Sequence, residues 1–130
     1  MLSRIQNELF DLGADLATPG EEFAPSEMVL RIVQPQVDRL EAEIDAMNEA
    51  LEPLRSFILP AGAAGAAHLH FARTVARRAE RTAVAAARAV ALNPLALVYL
   101  NRLSDHLFVL ARLAAKGEGG DILWKPGATR

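Results

Sequence analysis

Apolar residues recur at spacings of 3 and 4 along most of this chain, the period of an α-helix that buries one face. Leu2, Ile5, Leu9, Leu12 and Leu16 predict a first helix over about 2–17, stopped by Thr18-Pro19-Gly20. Residues 18–27 read as a loop with two prolines and acidic side chains, followed by a short helical turn near Ser26 to Val33. Pro35 fits the first turn of a second helix over about 35–51. Val33, Val37, Leu40, Ile44, Met47, Leu51 and Leu54 form its bundle seam, and Asp38, Glu41, Asp45 and Glu49 its acidic outer face. Pro53 and Pro60 bracket a connector carrying Phe57-Ile58-Leu59. The third helix is expected over about 62–92 and opens with AGAAGAA, small residues that let another helix approach closely. Asn93-Pro94 ends it and starts the fourth, about 95–115, which is apolar on most sides (Leu95, Val98, Leu100, Leu103, Leu107, Phe108, Leu110) and should lie centrally. The tail from Gly117 reads as irregular, with Trp124 as its candidate anchor. The expected fold is an all-α antiparallel bundle of four long helices over 1–116, with an irregular tail over 117–130 and no internal repeat.

Composition agrees with a helical chain and removes several chemistries. Of 130 residues 52% are hydrophobic but only 5% aromatic, with alanine and leucine dominant. With no cysteine, disulfides, thiolate zinc sites and cysteine nucleophiles are excluded. The first residues carry charges through their apolar part and read as an amphipathic helix rather than a signal peptide, and no apolar run is long enough to span a membrane. A cytoplasmic location is the default expectation. Charge is unevenly distributed: residues 1–60 hold 4 Arg against 12 Asp/Glu, net −8, and residues 61–130 hold 10 Lys/Arg against 4 Asp/Glu, net +6. The basic half is where an anionic ligand would bind.

The densest candidate chemistry is HLHFARTVARRAER, residues 68–81. Arg73, Arg77 and Arg81 fall at i, i+4 and i+8 on one helical stripe, with Glu80 placed to brace it. Such a row repels itself unless an anion lies against it, and the planar guanidinium fork suits phosphate. The competing reading is a solvated charged face. His68 and His70 are two apart, point to different sides and cannot chelate one metal together, so no metal site is assigned; a structural or substrate-facing role suits one of them. Ser104-Asp105-His106 has triad residue types on diverging helical positions. Phosphate-loop and dinucleotide motifs are missing, and the basic stripe is too short and too poor in aromatics for nucleic acid. Asn101, Arg102 and Asp105 form a second polar group on the apolar fourth helix, either salt-bridged within the bundle or facing a ligand. Phe57, between two prolines, reads either as a core plug or as a residue projecting into a cleft.

FILPAG (57–62), LHFARTVARRAER (69–81) and YLNRLSDHLFVLAR (99–112) resemble the PduO-type ATP:cob(I)alamin adenosyltransferases. IQNELFDLGADLATP (5–19), VDRLEAEIDAMNEALEPLRSFILP (37–60) and DILWKPG (121–127) look like the same family, so the resemblance covers nearly the whole chain. It implies a homotrimeric helical bundle with active sites between subunits, and attack of Co(I) on C5′ of ATP to give adenosylcobalamin and triphosphate. ATP, Mg²⁺ and cobalamin are the implied ligands, the last as substrate. A corrinoid reductase or an adenosylcobalamin-dependent enzyme is an implied further partner. By resemblance Arg73 and Arg77 bind or organise ATP, with Arg78, Glu80 and Arg81 in the same segment and Asn101 as an ATP contact. Phe57 matches the aromatic that displaces the corrinoid lower base, and His70 and Asp105 are grouped with it on the corrinoid side.

Two departures stand out. Pro60-Ala61-Gly62 replaces the family's usual Pro-Gly-Gly, which matters only if Ala61 must adopt a positive φ. The family also begins with a Thr/Gly-rich loop that wraps the triphosphate, then a helix with an acidic partner for the arginine matching Arg73. This chain starts after both, so an N-terminally short form is expected, with four helices against the family's five. The rival reading is a non-catalytic corrinoid-binding or assembly subunit.

Overall fold

The computed structural model describes residues 1–130 as four helices: α1 (Leu2–Leu16), α2 (Gln34–Asn48), α3 (Ala64–Ala86) and α4 (Pro94–Lys116). Its one strand-like contact is an antiparallel bridge between Ile58 and Leu123. Helix starts are set by local chemistry. Asn93 Oδ1 accepts the Leu95 N–H at 3.1 Å, and Pro94, which has no N–H to leave unpaired, sits in the first turn of α4. At α2, Pro35 occupies the first turn and Gln36 Oε1 accepts the Val33 N–H at 2.9 Å.

Side-chain pairs give the helix directions. Arg4 meets Glu43 and Asp15 meets Ile32, so α1 and α2 are antiparallel. Asn101 meets Glu80 and Arg73 meets Phe108, so α3 and α4 are antiparallel. Arg102 meets Glu41 and His106 meets Glu43, so α2 and α4 run the same way. The result is an up-down-up-down bundle, in which only the α3–α4 connection is short. α4 touches all three other helices and buries eleven residues against four in α1, three in α2 and four in α3, so it is the central helix its pattern predicts. The core is aliphatic except for Tyr99: Ile5, Leu12, Ile32, Val37, Leu40, Leu100, Leu103 and Leu107 close around it.

Two buried polar networks tie these elements. The Asp15 carboxylate accepts from Arg31 Nη1, the Ile32 N–H and Asn93 Nδ2, each at 2.7 Å, and Arg31 also donates to the Asp15 and Thr18 carbonyls. Further along the bundle Arg4 forks onto Glu43 at 2.6 and 2.9 Å, His106 Nε2 lies 2.8 Å from Glu43, and the Tyr99 hydroxyl donates to Glu8 at 2.8 Å. Burial, and then the bond to Glu8, pushes the Tyr99 hydroxyl well above its usual value.

The structure corrects several expected boundaries. Residues 26–33 form no helical turn; Ser26 and Val29 exchange backbone bonds in a tight loop, because the chain must wrap the Arg31 side chain. α3 stops at Ala86, not near 92, although Ala87, Arg88 and Ala89 are good helix formers. Tertiary bonds override that propensity: Gly20 N–H donates to the Ala91 carbonyl, and Leu92 and Asn93 are buried. α2 stops at Asn48, and Lys116 and Arg112 of α4 donate to the Ala50 and Glu52 carbonyls beyond it. The positive φ before α3 falls on Gly62 (111°), not Ala61, so alanine is unstrained there.

Asp15→Asn should cost about 3–5 kcal/mol in urea unfolding, because it leaves the Arg31 guanidinium buried without its counter-charge. Stability should also fall as the pH drops from 7 toward 5. Burial lowers the His106 pKa from 6.5 against the opposing pull of Glu43, so the unfolded chain takes up the proton first, and protonation favours unfolding below that value. Glu43, held below 4.5 mainly by Arg4, adds a further loss under more acid conditions. His106→Gln should flatten the slope between pH 7 and 5; an unchanged slope would remove His106 from this dependence.

Candidate active site: a cleft of aromatics beside an unpaired arginine row

The chemistry-bearing residues converge on the face shared by α3 and α4 and on the connector before α3. Asn101, Asp105, Phe108 and Arg112 are spaced 4, 3, 4 along α4 and form one stripe. Arg73 of α3 lies across it, with its guanidinium carbon 4.8 Å from the centre of the Phe108 ring. His70, one turn earlier and buried, meets the same ring edge-on at 6.2 Å. Burial, then the Arg73 charge, lowers the His70 pKa, so the imidazole is neutral at pH 7. Burial, then Arg77, also lowers the Arg73 pKa, with Asp105 opposing.

Phe108 stands between two clefts. One, of about 650 Å³, is lined by Leu54, Phe57, Ile58, Arg73, Phe108 and Trp124. The other, of about 560 Å³ between α2 and α4, is polar, with Glu41, Asp45, Arg102, Asp105 and Arg112 around Phe108. Phe57 is 77% exposed and meets Trp124 edge-on at 5.9 Å, so it is a cleft residue and not the core plug of the competing reading.

Arg77, Arg78 and Arg81 are exposed on α3. Helical arginines outside α3, namely Arg4, Arg39, Arg102 and Arg112, each pair with a carboxylate, whereas none of the four in α3 does. Glu80 does not brace the row as expected. Its Oε1 accepts from Asn101 Nδ2 at 2.9 Å, because α3–α4 packing sets the two opposite each other. Arg102 bonds Glu41 at 2.7 Å, Asp105 at 3.2 Å and the Asn101 carbonyl oxygen of the side chain at 3.3 Å. The second polar group is therefore internally paired, yet exposed at the cleft rim.

The excluded chemistries diverge in space as their spacing requires. His68 bonds the Ala64 carbonyl on the exposed side while His70 is buried. Ser104 bonds the Asn101 carbonyl, Asp105 faces Arg102, and His106 faces Glu43. No group of three or more His, Asp or Glu side chains forms a cation cage. A Mg²⁺ accompanying ATP would be held chiefly by the phosphate oxygens. Phe108 and Arg112 join the site without a role assigned from sequence, although their 4, 3, 4 spacing with Asn101 and Asp105 is a readable signal. Trp124, read from sequence only as an anchor of the tail, lies at the same cleft.

Residues 1–114 match the family model described as cobalamin adenosyltransferase. The chain is 52% identical over 132 residues to the corrinoid adenosyltransferase of Mycobacterium tuberculosis (strain ATCC 25618 / H37Rv), an alignment covering all of this chain and 67% of that protein. It is 45% identical over 112 residues to the corrinoid adenosyltransferase PduO of Salmonella typhimurium, covering 86% of this chain and 33% of that protein. Among solved structures, a phenylalanine-to-alanine variant of the PduO-type ATP:corrinoid adenosyltransferase from Lactobacillus reuteri, complexed with cobalamin and ATP, superposes with a TM-score of 0.82 at 39% identity, covering 95% of this chain and 68% of that one. An arginine-to-lysine variant of the same enzyme, complexed with ATP, superposes with a TM-score of 0.83 at 37% identity, over 95% of this chain and 69% of that one. The chain belongs to the cobalamin adenosyltransferase family.

Because Phe57 is exposed, Phe57→Ala should leave thermal stability within about 1 kcal/mol of wild type, against about 3–5 kcal/mol for a buried phenylalanine. A melting temperature lowered by the larger amount would return Phe57 to the core.

Proposed function

We propose that this chain transfers the 5′-deoxyadenosyl group of ATP to cob(I)alamin. The observation that carries this reading is the row of four α3 arginines without carboxylate partners, lying beside an aromatic cleft large enough to admit part of a flat macrocycle. Arg73 and Arg77 hold the triphosphate, with Arg78 and Arg81 extending the positive surface and Asn101, positioned by Glu80, facing the nucleotide. Phe57, Phe108 and His70 form the apolar side toward the corrinoid, with Asp105 at its polar rim.

The Co(I) electron pair forms the Co–C5′ bond as the C5′–O bond breaks and triphosphate leaves. Fixed guanidinium groups aimed at that leaving group stabilise charge that develops in the transition state. Nucleophilicity resides in the cobalt, so no side chain need act as general base. Phe57 covers the lower face of the corrinoid, excludes the lower ligand and favours four-coordinate cobalt. The proposed assembly is a homotrimer in the cytoplasm, supported by exposed apolar side chains such as Phe10, Phe71 and Val75 and by the opposed charges of the two halves of the chain.

Incubation of the protein with ATP and chemically reduced cobalamin should yield adenosylcobalamin. Corrinoid binding without ATP-dependent product would favour a corrinoid-binding subunit instead. Arg77→Ala should reduce kcat/KM for ATP by roughly 10- to 150-fold with little change in corrinoid affinity, the range of a charge-assisted hydrogen bond. Arg77→Lys should rescue only in part, because the fork is lost. Unchanged kinetics in both variants would take Arg77 out of the site. Sedimentation should give a trimer at micromolar concentration, and a stable monomer there would overturn the assembly.

A further inference from the structure

The connector that carries Phe57 has little structure of its own. It runs between Pro53 and Pro60, its only backbone bond within itself and its flank is Ala61 N–H to the Leu59 carbonyl, and its phenyl ring lies outside the core. The C-terminal segment supplies what it lacks. The Leu59 N–H donates to the Ile122 carbonyl and the Trp124 N–H to the Phe57 carbonyl, both at 2.8 Å, while Ser56 Oγ donates to the Trp124 carbonyl at 3.2 Å. Ile58 and Leu123 form the bridge between these bonds, and the Trp124 ring meets the Phe57 ring edge-on. The segment is clipped at its base by Arg112, whose Nε donates to Asp121 at 2.9 Å and whose Nη2 donates to the Glu52 carbonyl at 2.7 Å. One buried guanidinium of α4 thus holds both strands of the ladder.

From this geometry we infer that residues 121–124 are a strap that positions Phe57 over the cleft, with Trp124 as the positioning residue. The inference rests on the corrinoid role proposed for Phe57. Backbone bonds fix where the Phe57 Cα sits. The tryptophan edge limits which way the ring can turn, since an edge-to-face pair has a preferred geometry that an aliphatic side chain does not reproduce. A connector without the strap would keep its prolines and its chain path but let the ring swing away from the cobalt face. Arg112→Ala would disturb α4 itself, so the cleaner lesions are in the strap.

The test uses the full chain and compares Trp124→Ala, Trp124→Phe and Asp121→Ala with wild type. Two readouts are taken: hydrogen exchange at the Leu59 and Trp124 amides without ligand, and the fraction of four-coordinate cob(II)alamin formed with ATP. Trp124→Ala and Asp121→Ala should speed exchange at the Leu59 amide and lower the four-coordinate fraction relative to other bound forms by about 2- to 12-fold, the range of an aromatic pair contact. In the Trp124 variants helix amides and the melting temperature should stay near wild type, whereas Asp121→Ala, which leaves the Arg112 guanidinium without its carboxylate, should also lower the melting temperature; Trp124→Phe should retain most of the signal. Unchanged Leu59 exchange in Trp124→Ala overturns the strap. Faster exchange with a wild-type four-coordinate fraction overturns the positioning role. A wild-type protein that forms no four-coordinate cobalt, yet protects the Leu59 amide in a Trp124-dependent way, overturns instead the corrinoid role of Phe57 on which the inference rests.

Discussion

The Asp15 carboxylate is the fixed point of this bundle. It has almost no exposure and receives donors from three other stretches of chain: Arg31 in the loop, Ile32 at the approach to α2, and Asn93 at the start of α4. Such a group is costly to bury unless its oxygens are hydrogen-bonded, and here both are bonded by parts of the chain far apart in sequence. Asn93 has a double role, since the side chain that donates to Asp15 also caps α4. Where α4 begins is therefore set by where α1 ends. Phe108 lies about 22 Å further along that helix, and a slip of one residue would rotate it by about 100° away from Arg73. The site is assembled correctly because a carboxylate at the opposite end of the bundle permits only one start for α4.

Polar residues on these helices divide into two kinds. In α1, α2 and α4 the arginines are paired within the protein: Arg4 with Glu43 and Glu8, Arg39 with Glu8, Arg102 with Glu41, Arg112 with Asp121. In α3 they are not. Half of the net +6 of residues 61–130 is therefore concentrated on α3, where four arginines stand against Glu80 alone. Of the twelve carboxylates of residues 1–60, Glu8, Asp15 and Glu43 are paired by Arg4, Arg31 and Arg39, and Glu41 is paired by Arg102 from the other half. A row of like charges without partners destabilises its own helix slightly. Its persistence beside an aromatic cleft is better explained by an external polyanion than by folding.

The helices, the centrality of α4 and the arginine row were legible because they rest on local periodicity. Three things were not. The end of α3 is decided by Gly20 and Asn93 pulling the chain into a turn, against alanine's helical preference, and no residue near Ala86 announces it. Glu80 was assigned to the arginines by its spacing, but spacing along one helix does not reveal which side chain the next helix will offer, and Asn101 was closer. Trp124 could be read as an anchor but not as a neighbour of Phe57, because that contact joins residues 67 positions apart through two irregular segments. Irregular chain carries no period from which to infer a face.

The distribution of aromatics bears on why Phe57 is left in solvent. The chain has five Phe, one Tyr and one Trp, and only Tyr99 belongs to the core. Folding is accomplished by leucine, isoleucine, valine and alanine, so the aromatic rings are free for other tasks. Phe57, Phe108 and Trp124 lie around one cleft. A ring meant to cover a ligand face must be available before the ligand arrives, since withdrawing it from a packed core would cost about 3–5 kcal/mol at each binding event. An exposed ring avoids that cost but loses orientation unless something outside the core restrains it. The strap through residues 121–124 meets that requirement with backbone hydrogen bonds, which fix position without burying the ring, and with one aromatic edge, which fixes its angle.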